Sequence, residues 1–200
     1  MNNYKNQLFA ILYGDCYVDS NHNSNKSRLD IYHTEKNLDF ILKKKEILES
    51  IGVTCNLKEK IDTRPLKNGQ TRKGYRLQTN FSDILYSLHS TPFEQVSKHL
   101  VTPEGLAILW QDDGTVCWHN ARKFSTATLA TDDWEKWKLD SLREEWYNVY
   151  GWCPKEQDYK CRGKHYLRLR LVKNQVEKLS NLIHPFVVES MRYKLIIRLD

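Results

Sequence analysis

The sequence predicts an α+β chain made of two pseudo-symmetric repeats, each of order α-β-β-α-β-β-α, with antiparallel sheets that carry helices on one face. Three observations predict it. First, an apolar segment ending in acid occurs twice, as Leu8 to Asp15 (LFAILYGD) and Leu106 to Gly114 (LAILWQDDG). Asp15 and Asp113 stand 98 positions apart in a chain of 200, which points to duplication of a unit half the chain long. Second, segments of strict apolar/polar alternation follow each copy. Third, Pro92-Phe93 near the end of the first half is echoed by Pro185-Phe186 in the second. The repeats are expected over residues 1–100 and 101–200, with the two acid-ending helices meeting at a pseudo-twofold axis.

In order, a helix is expected over Asn6 to Asp15, then a strand from Tyr17, a polar hairpin tip over Ser20 to Lys26, and a second strand over Ser27 to Thr34. There Leu29 and Ile31 alternate with Arg28, Asp30 and Tyr32. Glu35 to Ser50 reads as a helix ended by Gly52, its Lys43 to Lys45 run forming a solvated face. Val53 to Ile61 alternates again, with Lys58 and Lys60 on the polar side. A turn-rich stretch over 62–74 leads to a strand from Tyr75 to Asn80, and Phe81 to Ser90 closes the first half. The second half repeats the pattern. It has strands around Thr115 to Ala121 and Lys123 to Ala130, then a long helix from Asp132 to Tyr150 capped by Thr131 or Asp132. Trp134, Trp137 and Trp146 on that helix are expected to pack a core. Two strands follow, the last over Gly163 to Leu171, and then a helix from Asn174 to about Leu182.

A formal net charge of +6 and a pI near 9.0 suit a polyanionic partner. The five cysteines form no CxxC pair, which argues against both a disulfide framework and a zinc site. No apolar run approaches the roughly 20 residues that span a bilayer, and no signal core opens the chain. A soluble intracellular protein without a membrane partner is expected, in a bacterial or phage-infected cytoplasm or an organelle. The seven histidines show no spacing typical of a His-based nuclease.

The chemistry concentrates in the acids. A helix C-terminus disfavours negative charge, so an apolar helix that delivers a carboxylate there calls for a cation, and a divalent metal is the obvious one. Asp15 and Asp113 are the candidate ligands. Gly14 and Asp112, the residues just before them, complete the candidate set, the Asp112 side chain having only Gly14 as its counterpart. The polar strand faces offer Arg28, Lys58, Lys60, Arg72, Arg76, Gln78, Lys164, Arg168 and Arg170. Antiparallel ribbons fit the major groove, where Arg reads guanine and Gln reads adenine.

A short apolar helix ending in acid next to Gly, followed by a strand and given twice in a chain of this length, resembles the two-motif, monomeric subgroup of the LAGLIDADG homing endonucleases. The first copy departs from the consensus, with Gly14-Asp15-Cys16 where the second has Asp112-Asp113-Gly114. The resemblance implies a saddle-shaped arrangement of the sheets. It also implies a basic residue near each active site, for which Lys98 (VSKHL) and Lys194 (MRYKL) are the matching positions. The implied function is site-specific hydrolysis of double-stranded DNA at a long asymmetric target. Oxygen ligands of this kind suit Mg²⁺, with Mn²⁺ as a substitute. The alternatives are an RNA splicing maturase with intron RNA as partner, or a non-cleaving DNA-binding regulator of the same fold.

Overall fold

A computed structural model describes residues 4–62, 72–119, 123–161 and 163–196. The chain divides into two compact units. The first is Met1–Thr91 with Val188–Met191, and the second is Pro92–Val187 with Arg192–Asp200.

The first unit runs α1 (Lys5–Tyr13), β1 (Tyr17–Asn21), β2 (Lys26–Thr34), α2 (Leu38–Ser50), β3 (Cys55–Asp62), β4 (Arg72–Thr79) and α3 (Asp83–His89). Its four strands form one antiparallel sheet in the order β1-β2-β4-β3, two hairpins joined through the β2–β4 pairing. Alternation divides each strand between the two faces. Leu29, Ile31 and Leu77 are fully buried against Phe40, Ile41, Ile47 and Leu48 of α2, while Arg28, Asp30, Arg76 and Gln78 lie on the other face. Each such aliphatic side chain contributes roughly 1.5–3 kcal/mol by leaving water. The helix α1 buries six consecutive residues, Gln7 to Leu12, all apolar except Gln7, so every side of this stretch is covered.

The second unit runs α4 (Phe93–Leu100), α5 (Pro103–Asp113), β5 (Gly114–His119), β6 (Lys123–Leu129), α6 (Lys136–Tyr150), β7 (Lys155–Cys161), β8 (Lys164–Leu171) and α7 (Lys173–Ile183). Its sheet has the corresponding order, β5-β6-β8-β7. The α+β class, the antiparallel sheets and the repeated element order therefore hold, with one helix more than the sequence reading assigned. That helix is α4, whose Phe93, Val96 and Leu100 fall at helical spacing and are buried.

Three expectations are corrected. The Lys43 to Lys45 run is not a uniformly solvated face, because Lys44 is fully buried. It shares a helix face with Phe40, Ile47 and Leu48, at positions i−4, i+3 and i+4, so the helical period turns it inward. The long helix of the second unit starts at Lys136, with Glu135 as its N-cap, rather than at Asp132. The expected caps are engaged elsewhere: Asp132 accepts from Arg168 Nε at 2.6 Å, and the Thr131 hydroxyl donates to Leu167 O at 2.7 Å. Of the three tryptophans, Trp146 is buried, whereas Trp134 is half-buried and precedes the helix, and Trp137 is 46% exposed. Both of the latter meet the ring of Phe93 edge-on.

Candidate active site

In the first unit, α1 stops where Gly14 N–H donates to Ala10 O at 2.9 Å. The next residue turns sharply, because Cys16 N–H donates to Gly14 O at 2.7 Å, a three-residue turn centred on Asp15. Asp15 is thereby placed, exposed, between the helix and β1. Its carboxylate and the imidazole of His33 approach within 4.8 Å. His33 continues the inward set of β2 after Leu29 and Ile31 and is 6% exposed. Behind it, Lys44 Nζ lies 3.2 Å from His33 Nε2 and 4.5 Å from the centroid of Phe40.

In the second unit, α5 begins with Thr102 as N-cap, whose side chain accepts from Gly105 N–H, and with Pro103 in the first turn. It ends at Asp113, and Gly114 N–H closes the last turn on Trp110 O. A Cβ at Gly114 would stand 2.3 Å from the Trp110 ring, so only glycine lets the chain leave the helix there. Asp112 is buried and Asp113 half-buried. Asp113 O accepts from Ala130 N–H at 3.0 Å, which ties the acid to the strand β6. Lys194 supplies a cation at this helix end: its Nζ donates to Gln111 O at 2.6 Å and Asp112 O at 3.1 Å, while its own carbonyl accepts from Trp110 Nε1 at 2.9 Å. Lys98, by contrast, sits on the exposed side of α4.

The strand faces carry the other candidates. In the first sheet, register sets Tyr17, Asp30, Gln78 and Asn56 in one row across all four strands, and Tyr32, Arg76 and Lys58 in the next. Lys58 and Lys60 are exposed on β3, and Gln78 is half-buried. Arg28 pairs with Asp19 at 2.8 Å and lies over Phe81, and Arg76 hydrogen-bonds Asp30 through Nε and Nη2. That guanidinium holds the Asp30 carboxyl below its ordinary value of 3.8. Arg72 has its backbone in β4, but its side chain lies outside the described residues.

In the second sheet, Thr115, Cys117, Thr126, Thr128, Gln157, Tyr159, Arg168 and Arg170 line a groove of about 430 Å³. Arg168 is held by Asp132 and stacks over Tyr159 at 3.9 Å, whereas Arg170 and Lys164 are exposed. The sequence reading missed His33, Lys44 and Tyr159. His33 was detectable as a polar residue, with Ser27, in the inward set of β2, and Lys44 as the one lysine of its run on the apolar helix face. No helix among the described residues is long and apolar enough to cross a membrane.

Comparison with known proteins gives this architecture a family. The fold is similar to that of the homing endonuclease I-WcaI bound to its DNA recognition sequence, with a TM-score of 0.71 at 18% identity over 98% of this chain and 87% of that one. It is also similar to I-DmoI in complex with DNA and Mn, with a TM-score of 0.55 at 15% identity over 90% and 96% of the two chains. In sequence, the cytochrome b mRNA maturase bI2 of Debaryomyces hansenii is 23% identical over 199 residues, which is 94% of this chain and 71% of the relative. Residues 7–179 match the LAGLIDADG DNA endonuclease family, and with both acid-ending helices and both four-stranded sheets in place the chain belongs to that family.

Proposed function

We propose that this chain is a Mg²⁺-dependent, site-specific endonuclease that cuts both strands of a DNA duplex, with Asp15 and Asp113 as the metal-binding carboxylates of the two units. The observation that carries the reading is that each unit delivers an acid at the end of a buried apolar helix, directly before the first strand of a polar-faced sheet. The donor set fits a hard cation. It consists of carboxylate oxygens beside the C-terminal carbonyls of a helix, where negative charge is otherwise disfavoured. The bound metal would neutralise the scissile phosphate and generate hydroxide from water.

The remaining roles fall to the chain's own residues. Asp15 and Asp113 each offer a carboxylate to a cation in their own unit. Lys194 holds the last carbonyls of α5 and so fixes the position from which Asp113 projects. Lys58, Lys60, Lys164 and Arg170, exposed on the strand faces, neutralise backbone phosphates. Arg28, Arg76 and Gln78 present fork-shaped or amide donors for base edges. Lys98 stands on an exposed helix face and is retained only as a phosphate contact.

Incubating the protein and Mg²⁺ with a plasmid library of randomised targets tests the reading. Linearisation at one recurring sequence supports it, and binding without cutting in Mg²⁺ or Mn²⁺ refutes it. RNA splicing is the second reading, favoured by the similarity to the D. hansenii maturase. Its mark would be binding and splicing of a structured intron RNA.

A further inference from the structure

Each sheet clamps one arginine of its polar face with an aspartate, through the same two nitrogens. In the first unit, Arg76 of β4 donates to Asp30 of β2 through Nε at 2.7 Å and through Nη2. In the second, Arg168 of β8 donates to Asp132, just beyond the end of β6, through Nε at 2.6 Å and through Nη2. β2 and β4 are the central strands of one sheet, and β6 and β8 those of the other. Acids are unfavourable on a face set against a polyanion, because they offset the charge that neutralises phosphate. Their recurrence at both sheet centres calls for a compensating role.

The guanidinium geometry supplies one. Its five N–H donors lie in a rigid plane, and the carboxylate takes the Nε–Nη2 edge. The Nη1–Nη2 edge then points away from the acid. Two parallel N–H bonds from such an edge match O6 and N7 of guanine, the commonest specific base contact of arginine. A free arginine gives up much rotamer freedom to make that contact, whereas a clamped one has lost it on folding. Arg168 is held in a second way: its guanidinium carbon lies 3.9 Å from the centroid of Tyr159, which fixes the plane of the fork, and both residues line the groove of the second sheet. We infer that Asp30 and Asp132 are positioning residues for base reading, each gripping its arginine by one edge so that the other is presented, preformed, to a guanine in the major groove. Each unit thereby fixes one guanine of the target.

The inference rests on the reading of the chain as a DNA endonuclease, and its test separates the two. Parent, Arg168→Ala, Asp132→Asn and Asp30→Asn are each selected, without divalent metal, on a pool of randomised duplexes, and Kd is measured for the parent's selected duplex and its single-base variants. The parent is expected to prefer guanine about 10- to 100-fold at a position that Arg168→Ala ceases to read. Asp132→Asn should lose about 10-fold of that same preference by binding the duplexes without that guanine more tightly, and Asp30→Asn should do so at a different position. A merely structural role would weaken binding to all duplexes together. Full guanine preference in the folded Asn variants overturns the inference and leaves the DNA reading intact. If the parent enriches no sequence, the endonuclease reading falls and this inference with it. A ¹H–¹⁵N spectrum of the free parent protein gives a readout independent of DNA and of how the variants fold. Resolved, slowly exchanging Nε–H signals are expected for Arg76 and Arg168, and rapidly exchanging, averaged signals overturn the clamp.

Discussion

The ammonium of Lys194 caps the carbonyl of Asp112 at 3.1 Å and that of Gln111 at 2.6 Å, so the second acid-ending helix terminates on a cation contributed from some 80 residues further along the chain. Last-turn carbonyls lack partners within the helix, and positive charge at that end is favoured by the helix dipole. Lys194→Met removes two charge-assisted hydrogen bonds and leaves both carbonyls without that donor. The expected cost is about 1–2 kcal/mol, a lowering of the melting temperature by several degrees. A calorimetric melt indistinguishable from the parent's would show that Lys194 does not hold the helix end.

Arg168 and Arg170 lie two positions apart on one strand face but in different circumstances. Arg168 is fixed by Asp132 and stacked on Tyr159, and Arg170 is exposed. Arg168→Ala should therefore lower stability by about 1 kcal/mol, the worth of a partly exposed bidentate pair after solvent screening. Arg170→Ala should leave the melt unchanged and weaken duplex binding, with a shallower salt dependence. Paired denaturation and salt-titrated binding curves check this, and equal stability loss in both variants contradicts it.

Asp30 carries a pH signature. Its hydrogen bond from Arg76 depresses the folded carboxyl below 3.8, so the pair's contribution is present above pH 3.8 and is lost as pH falls through the lower folded value. Asp30→Asn should be less stable than the parent at neutral pH, and the gap should close in acid. A gap of constant size from pH 7 to pH 2 would show that the carboxylate is not stabilised by folding.

Two cysteines should differ in reactivity. Cys55 is buried, and burial pushes its thiol up to about 11, while Cys117 is exposed in the groove of the second sheet. At pH 8 an alkylating reagent should modify Cys117 in the folded protein and reach Cys55 only on unfolding, and cognate duplex should protect Cys117. Mass-mapped labelling tests both statements. Protection absent at saturating duplex would remove this groove from the DNA interface.

Much of the fold could be read from periodicity alone. Leu29 and Ile31 fix the inner face of β2, and the repeated apolar runs before Asp15 and Asp113 mark both buried helices. The misassigned features depend on contacts that local patterns do not carry. Asp132 looks like a helix cap until Arg168, 36 positions later, takes its carboxylate, and the helix starts at Lys136 instead. Lys44 is concealed among three consecutive lysines, and only its phase relative to Phe40 and Ile47 distinguishes it. At the candidate site both acids were legible from their repeat. His33 could be picked out as a buried polar position of β2, but its approach to Asp15 could not, because that depends on how β2 packs beside the end of α1.

The most direct measurement is double-strand cleavage of the cognate duplex in Mg²⁺ by Asp15→Asn and by Asp113→Asn, beside duplex binding by the same two proteins. Each change is nearly isosteric and removes the charge that anchors the metal. Cleavage is expected to fall by at least ~100-fold in each, matching the loss of several kcal/mol of metal-borne stabilisation. Binding should persist or tighten, since a negative charge near phosphate is gone. Normal cutting by both Asn variants would contradict the assignment of Asp15 and Asp113 as the metal-binding carboxylates.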